Sequence, residues 1–95
     1  AYSTSKSGQL GMMRALALDL GKYNIRVNAV SPGVVGTDMV RDNVSEEMKT
    51  GLLRMTPLGK MADPKDLAGI YLYLASDASN FTTGQVIGVD GGLIM

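Results

Sequence analysis

The chain has 95 residues with nine basic and nine acidic side chains, so it carries no formal net charge, and neither sign clusters. That balance gives no support to a nucleic-acid partner or any other polyanion surface. Cysteine and histidine are both absent, which excludes disulfides, thiolate nucleophiles, Ser-His-Asp and Cys-His catalysis and the usual zinc-hydrolase ligands, and leaves any chemistry to Tyr, Lys, Asp, Glu or a bound cofactor.

Residues 2–20 read as a helix. Leu10, Met13, Ala17 and Leu20 recur at helical spacing, while Met12, Ala15 and Leu16 lie elsewhere on the circumference, so the helix needs cover on two faces. Gly8 and Gly11 lower helix propensity, and their expected role is to let another backbone come close. Gly21 is the expected stop, with Lys22 near the negative end of the dipole. At the start of this helix Tyr2 and Lys6 form an i,i+4 pair on one face. A free tyrosine titrates near about pH 10, and a neighbouring cation favours its phenolate. The pair is therefore either a solvated surface contact or a phenol made able to exchange protons near neutrality.

Residues 25–31 are rich in strand formers, with apolar positions on both parities, as in a strand buried on both faces of a parallel sheet. Pro32-Gly33 ends it, and Arg26 is expected near the strand's entrance with its head in water. Ser45 is a candidate cap, with Glu46 and Glu47 in the first turn of a helix that aligns Met48, Leu52 and Met55 and stops at Pro57. Met39, Met48, Met55 and Met61 are four of the seven methionines. Flexible thioethers suit a surface that repacks around differing apolar ligands, and equally fill irregular core gaps. Asp63-Pro64-Lys65-Asp66 opens another helix, expected to bury Leu67, Ile70, Tyr71 and Leu74 and to end near residue 75 or 76. A second strand over residues 85–89 closes at Asp90-Gly91-Gly92.

A strand, a connection with helices and a strand form a right-handed parallel βαβ pattern. Two strands do not make a stable parallel sheet, so the expected architecture is α/β, the edge of a larger sheet that is incomplete as it stands. The missing initiator methionine and the opening inside a helix point the same way, to part of a longer polypeptide. No apolar run approaches the roughly 18 residues that span a bilayer, and no signal-peptide pattern is present. A reducing, cytoplasmic setting without a membrane partner is the expectation.

Tyr2-x-x-x-Lys6, Asn28-Ala29-Val30-Ser31-Pro32-Gly33 with Thr37 four residues further on, Thr83-Gly84-Gln85 and Val89-Asp90-Gly91-Gly92 stand in this order along the chain. Together they resemble the C-terminal portion of a short-chain dehydrogenase/reductase, most closely the 3-oxoacyl-acyl-carrier-protein reductases, over essentially all 95 residues. The resemblance implies one NAD(P)-binding domain of Rossmann type, a doubly wound parallel sheet of which residues 1–95 are the C-terminal part and residues 38–61 the substrate lid. It implies NAD or NADP as cofactor and a small carbonyl or alcohol substrate. Tyr2 would be the acid/base; Lys6 would hold the cofactor's ribose hydroxyls and lower the Tyr2 pKa. Pro32, Gly33 and the main chain of Val35 would lie against the nicotinamide, Gly33 because a side chain would block close approach or the turn itself. The Thr37 hydroxyl would bond the carboxamide.

Asn28 is expected to be a satisfied structural group, since the family's catalytic asparagine lies earlier in the fold. Gly91-Gly92 lacks the following helix that a phosphate loop needs. Leu93-Ile94-Met95 is expected against a partner subunit of a homo-oligomer, a dimer or tetramer. The Tyr2–Lys6 spacing argues against the enoyl-reductase branch. Sugar or polyol and hydroxysteroid dehydrogenases are rival substrate classes, and a truncated, non-catalytic assembly module is the rival function. The glycine-rich dinucleotide loop and the catalytic serine belong upstream, so the 95-residue polypeptide alone is expected to be poorly folded and inactive.

Overall fold

The computed structural model of the chain describes residues 2–36 and 44–93, residues 2–4 by their backbone only. Helix α1 (Tyr2–Leu20) forms where periodicity places it, and the stripe it buries is the expected one. Met13 and Ala17 are buried, and Leu10 and Leu20 are half-buried. The second apolar face is uncovered: Met12 is 63% and Leu16 41% exposed, and among the described residues nothing beyond the helix's own neighbouring turns comes within 4 Å of a Cβ placed on Gly8 or Gly11.

The stop differs from expectation. Gly21–Tyr23 continue as a 3₁₀ turn, and the left-handed residue is Asn24, with φ 60°. Its N–H donates to Gly21 O at 2.9 Å and that of Ile25 to Leu20 O at 3.3 Å. Asparagine tolerates the left-handed region because its short polar side chain bonds locally, so the tightened last turn hands the cap from glycine to Asn24.

Strand β1 (Ala29–Pro32) pairs with β2 (Val86–Val89) in a two-stranded sheet. Ala29 N–H donates to Gln85 O at 2.9 Å and Gly33 N–H to Val89 O at 3.1 Å, the same offset at both ends, as parallel register requires. The strand is shorter than residues 25–31 because side chains take over part of the pairing before Ala29, beside the backbone bond from Gly84 N–H to Val27 O at 2.8 Å. Val27 N–H donates to Thr83 Oγ1, Asn28 Nδ2 donates to Thr82 O at 3.0 Å, and Gln85 N–H donates to Asn28 Oδ1 at 3.1 Å. Asn28 is thus the satisfied polar group that was expected. Ala29 to Ser31 are half-buried and Pro32 exposed, so within this chain the strand is not covered on both faces.

Arg26 lies just ahead of β1 and is half-buried, and its head is also anchored. It donates to Ser79 Oγ at 2.6 Å and Ser76 O at 3.2 Å, across the 3₁₀ turn Asp77–Ser79. Ser79 is the most deeply buried side chain described, 1% exposed.

Helix α2 (Glu46–Met55) starts as read, Ser45 Oγ accepting from Met48 N–H at 3.2 Å. Of its apolar stripe Leu52 is half-buried while Met48 and Met55 are 60% and 66% exposed. Helix α3 (Ala68–Ala75) is preceded by a 3₁₀ turn, Pro64–Leu67, closed by a full capping box. Asp63 Oδ1 accepts from Lys65 N–H, and Asp66 Oδ2 accepts from Asp63 N–H at 2.8 Å. The tighter opening turn shifts the phase of the helix face. Leu67, Ile70 and Leu74 are half-buried, whereas Tyr71, expected in the stripe, is 53% exposed.

The chain divides into two compact units, Ala1–Val30 with Leu72–Ile87, and Ser31–Tyr71 with Gly88–Met95. In the first, the small core is Met13, Ala17 and Ser79; in the second it is Thr56 and Leu93. Of the segment expected against a partner subunit, Leu93 is 3% exposed in the chain, its N–H donating to Asp90 O, while Ile94 and Met95 lie outside the described residues. No helix among the described residues is long and apolar enough to cross a membrane.

Candidate active site

In the first unit, Tyr2 is the first residue of α1 and Lys6 lies one turn on, so the backbone gives the pair its i,i+4 relation. Lys6 is half-exposed.

In the second unit, Pro32 ends β1 on the surface and Gly33 follows it. Gly33 does not have a positive φ, so the turn itself does not demand glycine. Space does. A Cβ there would stand 2.8 Å from both Cα and O of Asp90, the residue just past β2. The close approach that excludes a side chain at Gly33 in this structure is the one to the Asp90 backbone.

Residues 34–36 continue as an extended segment that pairs in parallel with Ala62 around Val35. Ala62 N–H donates to Val34 O and Gly36 N–H to Ala62 O, each at 2.8 Å. When the flanking residues bond one side, alternation turns the N–H and C=O of the central residue to the other. Val35 therefore presents its main-chain N–H and C=O on the edge away from Ala62. Thr37 lies outside the described residues, as do residues 38–43 of the expected lid.

Beside this segment is a cavity of about 220 Å³. Val34, Met61 and Val89 supply apolar wall, with Lys60, Asp66 and Asp90 also lining it. The two carboxylates are committed to backbone: Asp66 to Asp63 N–H and Asp90 Oδ1 to Gly92 N–H at 2.9 Å. Gly91 and Gly92 have φ 62° and 94°, and Cβ atoms on them would reach within 2.9 Å of Thr56 Cγ2 and 2.8 Å of Pro57 Cγ. They form a packing turn. Among the described residues there is no group of three or more acidic, histidine or cysteine side chains placed to hold a metal ion.

Asp90 and Ala62 were missed as partners of the Pro32–Val35 segment. Their one local signal was the apolar Met61-Ala62 pair directly before the Asp63 cap, which is long enough for a bridge and too short to read as a strand.

A family model described as enoyl-(acyl carrier protein) reductase matches residues 1–94. The 3-oxoacyl-[acyl-carrier-protein] reductase of Thermotoga maritima is 46% identical over 94 residues, 99% of this chain and 38% of its own length. A D-arabinitol 2-dehydrogenase [ribulose-forming] of Candida tropicalis is 48% identical, over 96% of this chain and 33% of its own. The crystal structure of a 3-oxoacyl-[acyl-carrier protein] reductase from Brucella melitensis superposes with a TM-score of 0.90 at 40% identity, covering 99% of this chain and 35% of that one. This chain thus spans about a third of the length of the proteins it matches. With that share of sequence and backbone in common, and with Tyr2-x-x-x-Lys6 and the Pro32-Gly33 turn in place, the chain belongs to the short-chain dehydrogenase/reductase family.

Proposed function

We propose that this chain is the C-terminal part of one NAD(P)-dependent Rossmann-type domain that interconverts a carbonyl and a secondary alcohol, with a 3-oxoacyl thioester as the first substrate class. The observation that carries the reading is the placement of Tyr2 and Lys6 one turn apart at the head of α1, in a chain matched over residues 1–94 by an oxidoreductase family. A bound nicotinamide dinucleotide supplies the hydride in reduction and takes it up in oxidation. The Tyr2 hydroxyl gives its proton to the carbonyl oxygen, and takes the alcohol proton in reverse. The Lys6 cation holds ribose hydroxyls and favours the phenolate of Tyr2. The Val35 main chain and the Thr37 hydroxyl orient the carboxamide, with Pro32 and Gly33 against the ring.

Residues 38–61 form the substrate lid in this reading. Met48 and Met55, at 60% and 66% exposure, give α2 an uncovered thioether face of the kind that adapts to apolar chains. The Tyr2–Lys6 spacing favours carbonyl over enoyl reduction, although the matching family model carries an enoyl-reductase description. The protein works as a homo-oligomer, a dimer or tetramer, in the cytoplasm.

A polyol dehydrogenase is the second reading, favoured by the 48% identity to the arabinitol enzyme, above the 46% to the 3-oxoacyl reductase. The two separate in one assay on the product of the whole gene. Loss of NAD(P)H absorbance with a 3-oxoacyl thioester supports the first; NAD(P)H formation with arabinitol and none of the former supports the second; no turnover with either class leaves an assembly module.

A further inference from the structure

The turn Asp90-Gly91-Gly92, assigned no role in the reaction above, touches both segments that the proposed function uses. On one side, Gly33 N–H donates to Val89 O, and the position of a Gly33 Cβ lies 2.8 Å from Asp90 Cα and O. On the other side is the foot of α2. Leu58 N–H donates to Gly91 O at 3.0 Å, and the position of a Gly91 Cβ lies 2.9 Å from Thr56 Cγ2 and 3.4 Å from Leu58 Cβ. Gly92 stands as close to Pro57.

Neither side has room for one more carbon, and the turn is stiffened from within. Gly92 N–H donates to Asp90 Oδ1 at 2.9 Å and Leu93 N–H to Asp90 O at 3.1 Å. The residues that flank it are the most buried of the second unit: Thr56 is 4% exposed, its Oγ1 donating to Leu52 O at 2.8 Å, and Leu93 is 3% exposed. Although Asp90 and Gly91 also border the cavity of about 220 Å³, the contacts to Gly33, Thr56 and Pro57 are direct, so a displacement on one side of the turn is passed to the other.

We propose that Asp90, Gly91 and Gly92 are positioning residues that fix the Gly33 backbone and the foot of α2 against each other, so that cofactor seating and substrate-lid placement are set by one rigid turn. The proposal rests on the reading of Pro32–Val35 as the nicotinamide face and residues 38–61 as the lid. It needs no direct contact of the turn with substrate or cofactor.

The test is Gly91→Ala in the product of the whole gene, made alone and with Thr56→Ser, which removes the obstructing methyl and keeps the hydroxyl on Leu52 O. The clash and the left-handed φ of 62°, which alanine tolerates poorly, are together expected to raise both the NAD(P)H Kd and the substrate KM by roughly tenfold; the double variant relieves the clash and not the φ, and is expected to recover part of both. Thr56→Ser alone is measured beside them, so that recovery in the double variant is read against both single variants. A merely structural turn would lower the unfolding midpoint with Kd and KM unmoved, and that result overturns the proposal. Failure of the parent to bind NAD(P)H is a different outcome, which overturns the functional reading itself. As a readout free of variants, amide hydrogen exchange of Leu58 in the parent should slow about tenfold on adding NAD(P)H. Unchanged exchange at Leu58 in a parent that does bind contradicts the coupling.

Discussion

Replacing Gly33 with alanine isolates one packing contact. Its φ lies outside the left-handed region, so the added methyl brings no backbone strain and should even lower the entropy of the unfolded chain, a gain of about 0.4–1 kcal/mol. Against that, the methyl meets Asp90 Cα and O at 2.8 Å and its carbonyl carbon at 3.1 Å, all main-chain atoms. A side chain would rotate away; this backbone is tied by the bonds Gly33 N–H to Val89 O and Leu93 N–H to Asp90 O. Strands β1 and β2 must separate by several tenths of an ångström or the turn must reshape, which overpacked sites resist by about 1–3 kcal/mol. The net expectation is a loss of about 1–2 kcal/mol. Gly51→Ala on α2 is the matched control, since nothing lies within 4 Å of a Cβ there. That change should stabilise by up to about 1 kcal/mol through helix propensity. Urea unfolding of the whole-gene product measures both as shifts of midpoint at constant slope. Equal shifts of the same sign for Gly33→Ala and Gly51→Ala would refute the reasoning, because they would mean that backbone propensity, and not space, decides both sites.

Other expectations follow from single contacts. Arg26→Ala removes the donor to Ser79 Oγ and Ser76 O and should lower stability by about 1.5–3 kcal/mol in the same unfolding assay, with Arg26→Lys recovering part. Asn28→Asp turns an N–H donor into an acceptor facing Thr82 O, and should destabilise by about 1–3 kcal/mol while leaving turnover per folded molecule near the parent's. The 95-residue polypeptide by itself, with Met12, Leu18 and Phe81 at 63%, 83% and 100% exposure, should bind a hydrophobic dye and melt without a cooperative transition by calorimetry.

The helices were legible because what starts and directs them is local. Ser45 with Glu46 and Glu47, and Asp63-Pro64 with Asp66, carry their caps within four residues, and the Met13–Ala17 stripe is written in one helical period. What escaped depends on residues distant in the chain. The true start of β1 is set by Thr82, Thr83 and Gln85 capturing Val27 and Asn28, the seat of Arg26 by a turn fifty positions on, and the tightness at Gly33 by the backbone of Asp90. Tyr71 was misplaced because a 3₁₀ opening advances the helix phase in a way that an α-helical period does not anticipate. In the candidate site, Tyr2–Lys6 was legible as a spacing, and Pro32-Gly33 as a motif. The partners of the second, Ala62 and Asp90, came only from the fold.

The central claim, that Tyr2 is the proton donor and acceptor, is tested most directly by Tyr2→Phe in the product of the whole gene, with turnover and dinucleotide binding measured on the same preparation. Loss of the phenol hydroxyl should lower kcat by about 10²–10⁴-fold, the range of a general acid/base, while NAD(P)H still binds within a few-fold of the parent. Turnover near the parent's value, with binding intact, would contradict the account and move the proton to another group.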